Sequence, residues 1–180
     1  MERKHIVFVV AGYSAIGMGH VFRALMFAHE ITDHRISFVC TKESELAVSQ
    51  IAARDYRTKI QKVGESLAEA VLRQRPDMVI NDILNTDEAY IRALKEHGCL
   101  VVNFEDEGPG AAGADLVVNA LYNMPEGQAD PHWLCGFKYF CLRDEFLQAE
   151  RNEFRKKPVR VLITFGGTDD SDFTRKTLEA

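Results

Sequence analysis

The sequence lacks several features that mark whole classes of protein. Its first apolar run, Ile6–Ala11, is too short to span a membrane, and no signal peptide precedes it. None of the four cysteines belongs to a Cys-x-x-Cys pair, so there is no zinc or dithiol redox signature. We therefore expect a cytoplasmic protein with reduced thiols and no membrane association.

An excess of positive charge is also missing. Lysine and arginine number 22 against 27 aspartates and glutamates, a formal net charge of −5. Arg155–Lys157 is the longest basic run, whereas nucleic-acid-binding proteins usually carry a basic patch or stripe. The composition predicts no nucleic-acid partner. A phosphorylated ligand would have to be bound mainly by backbone amides and helix N-termini.

What the sequence does contain is an alternation of short apolar runs with longer amphipathic stretches. Hydrophobic residues make up 46% of 180 residues, enough for a substantial core. The alternation predicts an α/β fold with a Rossmann-like parallel sheet, whose first strand is buried on both faces. Strands or extended segments are predicted at 6–11, 36–40, 56–60, 78–81, 99–104, 116–119 and 133–142. Helices are predicted at 19–31, 43–53, 65–75, 87–97 and 143–156.

The pattern restarts near the C-terminus. Pro158 breaks the preceding helix, and Val159–Phe165 is a new apolar strand, followed by a tight turn and a helix over Ser171–Ala180. Because a lone βα unit cannot bury both its faces, we predict an N-terminal domain at 1–157 and the start of a truncated C-terminal nucleotide-binding domain at 158–180. The alternative is that this strand extends the first sheet.

Polar and Gly-rich clusters follow the predicted strands. Ligands of open α/β sheets bind outside the carboxyl ends of the strands, so these clusters predict one extended site. Its candidate residues after the first strand are Ser14, Gly17, Gly19, His20 and Arg23. After the later strands they are Asp82, Asp106, Asn119, Gly166, Gly167, Thr168 and Asp169.

The loop after the first strand carries the most specific chemistry. Gly17 and Gly19 would let a ligand approach the backbone. No lysine follows Gly19, which excludes a phosphate-binding P-loop, and the spacing does not fit Gly-x-Gly-x-x-Gly either. His20 lies in the first helical turn, where the positive helix end favours a neutral imidazole. A neutral imidazole can accept a proton as a general base.

The remaining candidates suggest ligand contacts. Asp82 and Asp106 could bind a sugar hydroxyl or orient the base. The Gly166–Asp169 turn offers consecutive amides and a hydroxyl at a helix start, which favours diphosphate or ribose binding.

Several of these segments resemble one enzyme family, in order along nearly the whole chain. The opening Ile16-Gly-Met-Gly-His-Val-Phe-Arg23 resembles the Ile-Gly-x-Gly-His-x-x-Arg motif of the UDP-2,4-diacetamido-2,4,6-trideoxy-β-L-altropyranose hydrolases of pseudaminic acid synthesis, a family that includes spore-coat polysaccharide proteins. The further matching segments are 104–107, 116–119, 135–139, 142–146 and 165–169.

The resemblance implies a glycosyltransferase-B-like architecture, with two Rossmann-type domains around a cleft. The family cleaves the sugar–UDP bond with water and needs no metal ion or other cofactor. His20 would activate the water, and UDP would be held mostly by the C-terminal domain. The implied partner is a UDP-sugar, and a homodimer through the surface left by truncation is possible.

One position departs from the family pattern. The family carries Asp-x-Tyr after the fourth strand, where this chain has Asp82-Ile83-Leu84. A missing tyrosine suggests a different sugar or altered chemistry. A glycosyltransferase of the same architecture and a non-catalytic, truncated binding module both remain open as alternatives.

Overall fold

A computed structural model describes residues 2–121, 130–150, 156–157, 160–165, 169 and 171–180. The chain divides into two compact units, Met1–Cys141 and Leu142–Ala180. The domain boundary that we place after residue 157 stays a prediction.

The first unit is built around a seven-stranded parallel sheet, which confirms the predicted Rossmann-like α/β class. Its spatial order is β3-β2-β1-β4-β5-β6-β7. The strands are β1 (His5–Val10), β2 (Arg35–Cys40), β3 (Arg57–Ile60), β4 (Met78–Asp82), β5 (Leu100–Phe104), β6 (Leu116–Asn119) and β7 (Trp133–Cys135). The helices of this unit are α1 (Gly19–Glu30), α2 (Glu45–Ala52), α3 (Leu67–Leu72) and α4 (Glu88–Glu96), with 3-10 turns at Ala111–Gly113 and Phe137–Tyr139.

Helices cover both faces of the sheet. All six residues of β1 are buried, as its continuous apolar run predicts. Side chains alternate between faces along a strand, so Phe8 of β1 packs with the helices α1 and α2, while Val9 packs with α3 and α4. Strand order reverses between β1 and β4, which makes the crevice at their carboxyl ends the topological switch point.

Helix α3 is shorter than the predicted 65–75. Ser66 accepts a hydrogen bond from the Glu69 amide and the Glu69 carboxylate accepts one from the Ser66 amide, so a capping box sets the start. The helix ends at Leu72, and Arg75 then adopts a left-handed conformation with φ of 54°. Proline at 76 disfavours helical backbone at its predecessor, which accounts for the early end.

Two predicted segments near residue 140 form but end earlier than predicted. The extended segment over 133–142 ends at Cys135, because Gly136 takes a φ of 95° and the chain then turns into a 3-10 helix. The helix predicted over 143–156 is described only as α5 (Asp144–Gln148), and Ala149 is already extended. Phe146 and Leu147 are exposed, and a short helix without a buried apolar face is only marginally stable.

The second unit also contains α6 (Phe173–Glu179), close to the predicted helix at 171–180. The strand predicted over 159–165 is not formed in its described part, residues 160–165. A strand needs a neighbour to satisfy its backbone N–H and C=O groups, and no strand of the described residues pairs with this segment.

Candidate active site

Helix α1 and the carboxyl ends of β4 and β5 meet around two buried carboxylates. His20 is the second residue of the helix that follows β1, Asp82 is the last residue of β4, and Glu105 follows β5. The register pairs Val10 with Asp82, so the end of β4 lies level with the end of β1. The site therefore occupies the switch point of the sheet, where ligands of this fold class bind.

His20 and Asp82 form a hydrogen-bonded dyad. The imidazole Nδ1 lies 2.6 Å from Oδ1 of Asp82, whose side chain is only 2% exposed. A carboxylate can only accept, so Nδ1 carries a proton, and in the neutral tautomer Nε2 is the acceptor. Within the described residues Nε2 makes no hydrogen bond, and the imidazole is 13% exposed. The dyad therefore holds a proton acceptor at an open position, the arrangement that general-base catalysis requires.

Arg23 holds the carboxylate of this dyad in place. It lies one turn after His20 on α1, so both side chains point the same way. Its Nε and Nη2 atoms donate to the two oxygens of Asp82 at 2.7 and 2.6 Å, a bidentate pair. Burial opposes the charged guanidinium, but the hydrogen bonds and attraction of Asp82 outweigh it, and the pKa of Arg23 is raised.

Glu105 completes the cluster and connects it to the next strand. Its Oε1 accepts from Nη1 of Arg23 at 3.1 Å and from the backbone amide of Ala120 at 3.2 Å. Oε2 accepts from the amide of Leu121 at 3.4 Å. The His20 ring, Arg23 and the two carboxylates thus form a single network, which we call the dyad cluster, between α1 and the ends of β4, β5 and β6.

Strand alternation explains why Asp82 belongs to this cluster. Ile80, two residues earlier, packs in the core that also holds Val21 and Leu25 of α1, so Asp82 points to the same face. The intervening Asn81 points to the opposite face, where its Oδ1 accepts from the hydroxyl of Tyr90 at 2.7 Å. Burial raises the pKa of Tyr90, which keeps this hydroxyl protonated as a donor.

Glu105 belongs to the dyad cluster, although the sequence analysis does not single it out as a candidate. Phe104 faces α1, where Arg23 lies 5.4 Å from its ring centroid, and alternation would turn Glu105 to the other face. A φ of 50° at Glu105 breaks the alternation and brings its carboxylate to Arg23. The acidic run 105–107 was the available signal, but the spacing of a regular strand favours Asp106.

The segment between β1 and α1, which with Gly19 we call the glycine loop, lies open beside the dyad cluster. Gly17 has a φ of 74°, which explains glycine there, and its amide donates to the carbonyl of Tyr13 at 2.9 Å. Gly19 has no unusual φ, and a Cβ built on it would meet no described atom within 4 Å. Ser14 is exposed. Met18 is the N-cap residue of α1, and no capping hydrogen bond from a side chain is formed there within the described residues. The first helical amides are therefore available to an acceptor.

Asp106 and Asn119 lie nearby but are bonded to each other and to the protein. Each Asp106 oxygen accepts two hydrogen bonds, from Thr86, Asn103 and the Gly108 amide, at 2.6–3.1 Å. The Asn119 side chain bonds the backbone amide and carbonyl of Asp106 at 3.1 and 3.0 Å. A ligand would have to compete with this buried network, so their ligand contacts stay predictions.

The candidates of the last turn fall in the second unit. Gly166, Gly167 and Thr168 lie outside the described residues. Asp169 accepts hydrogen bonds from the amides of Phe173 and Thr174 at 2.8 and 2.9 Å and thereby caps α6. Hydrogen bonding to Thr174 lowers the pKa of this carboxyl.

The described residues contain no group of three or more His, Cys, Asp or Glu side chains placed to hold a metal ion. Over the same residues, no helix has the length and apolar character needed to cross a bilayer.

Comparison with known proteins places the chain among distant relatives. No family model matches it. The uncharacterized protein MJ1062 of Methanocaldococcus jannaschii is 27% identical over 188 residues, covering 97% of this chain and 39% of that protein. The UDP-2,4-diacetamido-2,4,6-trideoxy-β-L-altropyranose hydrolase of Campylobacter jejuni is 30% identical over 164 residues, covering 87% of this chain and 58% of the hydrolase. The chain thus spans between 39% and 58% of the length of these relatives.

A solved structure agrees with the fold. The crystal structure of MurG from Acinetobacter baumannii matches 73% of this chain and 44% of its own, with a TM-score of 0.51 and 17% identity. The match agrees with the Rossmann-like parallel α/β fold of the first unit. The motif resemblance noted from the sequence is found again as a distant similarity to a hydrolase of the same kind.

Proposed function

We propose that this chain is part of an enzyme acting on a UDP-linked sugar, and that the reaction is hydrolysis with release of UDP and free sugar. The observation that carries the proposal is the dyad of His20 and Asp82 at the switch point, with Nε2 unoccupied within the described residues. The distant C. jejuni relative, a UDP-2,4-diacetamido-2,4,6-trideoxy-β-L-altropyranose hydrolase, supports the substrate class.

The chemistry follows from the geometry of the dyad. Nε2 of His20 takes a proton from a water molecule as the water oxygen attacks the anomeric carbon. The bond between that carbon and the diphosphate oxygen breaks, and UDP leaves with its electron pair. Asp82 fixes the tautomer of the ring and stabilises the imidazolium that forms, as the carboxylate does in a catalytic triad. Arg23 and Glu105 act as positioning residues. Arg23 contacts Asp82, and Glu105 contacts Arg23, but neither contacts the imidazole.

The glycine loop supplies a place for the substrate. Gly17 and Gly19 flank the start of α1, whose first amides point out of the helix towards any bound oxygen. We propose that Ser14, Gly17 and Gly19 contact the substrate there. We also propose that UDP is contacted by Gly166, Gly167, Thr168 and Asp169. These residues would belong to a C-terminal nucleotide-binding domain that starts at residue 158, and we propose that the protein forms a homodimer.

Hydrolysis is tested with the longest form of the protein that carries this sequence. UDP release is measured from a panel of UDP-linked di-N-acetylated deoxysugars, without any acceptor, in water enriched in ¹⁸O. The proposal expects UDP release and ¹⁸O on C1 of the free sugar. Isotope in UDP would contradict attack at the anomeric carbon. Turnover only when an acceptor alcohol is added would assign the protein to the transferases.

A further inference from the structure

A polar cavity lies at the amino ends of the central strands. It has a volume of about 310 Å³ and is lined by Arg3, His5, Arg35, Arg75 and Asp77. Arg3 lies two residues before β1, which His5 begins, Arg35 begins β2, and Asp77 immediately precedes β4. These are the amino ends of the strands, whereas the dyad cluster lies at their carboxyl ends, so the cavity is separate from the candidate active site.

The cavity concentrates positive charge in an acidic protein. Three arginines from three separate segments line it, against a single carboxylate, while the whole chain carries a net charge of −5. No ion pair within the described residues involves any of these guanidinium groups. Asp77 offsets one of these charges but pairs with none of the arginines: its Oδ2 accepts from the His5 amide at 2.7 Å and its Oδ1 faces Lys4 Nζ at 3.8 Å. Three arginines against one carboxylate leave an excess of positive charge in the cavity.

His5 adds structure to the cavity without adding charge. Its Nδ1 lies 3.3 Å from the carbonyl oxygen of Arg75, so Nδ1 donates and Nε2 accepts from the Ser37 hydroxyl at 2.8 Å. Burial, together with the charge of Arg35, lowers the pKa of His5, which agrees with a neutral ring. The positive charge of the cavity therefore comes from its arginines.

One of the arginines, Arg75, has an uncommon backbone conformation. Arg75 has a φ of 54°, a left-handed conformation that glycine or asparagine normally supplies after a helix. An arginine there is strained, and such strain persists only where the surroundings hold it. Here the Arg75 amide donates to the Leu72 carbonyl at 2.9 Å, and His5 holds its carbonyl. Arg75 therefore stands at a position whose backbone conformation favours glycine.

We propose that this cavity binds a small oxyanion carrying two or more negative charges, namely a phosphate or diphosphate group. Guanidinium groups match the oxygens of such anions in bidentate geometry, and three arginines line this cavity. The volume accommodates diphosphate or the phosphate end of a small metabolite. This inference is independent of the proposed hydrolysis, because it involves none of the residues of the dyad cluster.

Calorimetric titration of the full chain with sodium diphosphate and with sodium phosphate, at constant ionic strength, tests the site. We expect saturable binding of diphosphate, weaker binding of phosphate, and none of chloride. Arg35→Gln and Arg75→Gly should each weaken diphosphate binding at least tenfold. Arg92→Gln, an exposed arginine on α4, is the matched control and should bind as the wild type does.

The Arg75→Gly variant separates binding from folding. Glycine relieves the left-handed strain, so its thermal midpoint without ligand should equal or exceed that of the wild type while diphosphate no longer stabilises it. Absence of diphosphate binding to the wild type would overturn the proposal. Wild-type affinity in both arginine variants would overturn it too, as would binding that is lost in His20→Ala and kept in Arg35→Gln.

Discussion

Arg23 offers the sharpest test of the dyad cluster, because two buried carboxylates depend on it. The side chains of Asp82 and Glu105 are only 2% and 4% exposed, and Arg23 is 17% exposed. Arg23→Met keeps most of the apolar stem but removes the cation over the Phe104 ring and all three hydrogen bonds. Removing one partner of a buried ion pair destabilises a protein by about 3–5 kcal/mol, and we expect a loss of this size.

Arg23→Lys divides the effect into charge and geometry. Lysine keeps the charge, but one ammonium group cannot reproduce the bidentate fork on Asp82 together with the bond to Glu105. Since a hydrogen bond to a charged group contributes about 1.5–3 kcal/mol, we expect an intermediate loss of roughly that size. Arg92→Lys, an exposed change on α4, is the matched control, and its effect should stay within about 0.5 kcal/mol.

Urea unfolding followed by tryptophan fluorescence measures these changes. The chain has a single tryptophan, Trp133 in β7, so the signal reports on the sheet of the first unit. The expected order of unfolding free energy is wild type and Arg92→Lys, then Arg23→Lys, then Arg23→Met. An Arg23→Met protein within about 1 kcal/mol of the wild type would refute the view that this ion network is buried and coupled.

Three further changes test separate parts of the account. Gly19→Ala should fold with wild-type stability, because its Cβ meets open space. It should nevertheless raise KM for the UDP-sugar, and an unchanged KM would show that Gly19 does not contact the substrate. Tyr90→Phe leaves Oδ1 of Asn81 buried without its donor and should lower the unfolding free energy by about 1–3 kcal/mol in urea titrations, an expectation that a neutral result would contradict. Burial opposes ionisation of Asp115, but hydrogen bonds from Lys95 and the Val101 amide lower its pKa below 3.8. The ionised carboxylate therefore stabilises the fold above pH 3.8, and this stabilisation is lost on further acidification. In urea titrations at a series of pH values, Asp115→Asn should flatten this acid limb of the stability curve.

Much of this architecture was predictable because it depends on period and apolarity. The continuous apolar run of β1 marks a doubly covered strand, and the polar residues after each strand locate the site edge. His20, Arg23 and Asp82 follow from those rules, since each stands at a strand end or on the first turns of α1. In the structure the side chains of His20 and Arg23 both contact Asp82. Contacts of these three residues with a substrate stay proposals.

The failures share a physical cause, namely conformations set by a few dihedral angles or by tertiary partners. Positive φ at Glu105 moves a carboxylate to the face that alternation denies it, and positive φ at Gly136 ends a strand that apolarity would continue. The helix predicted over 143–156 has strong propensity, but Phe146 and Leu147 lack burial to extend it beyond Gln148 in the described residues. Local sequence patterns carry little information about either effect.

The most direct measurement of the central claim compares His20→Ala with His29→Ala in the UDP-release assay. Both histidines belong to α1, but His29 is exposed in its last turn, away from the dyad cluster. If Nε2 of His20 is the general base, kcat for His20→Ala falls by roughly 10²–10⁴-fold while His29→Ala keeps wild-type turnover. Equal turnover in the two variants would show that His20 does not activate water and would contradict the account.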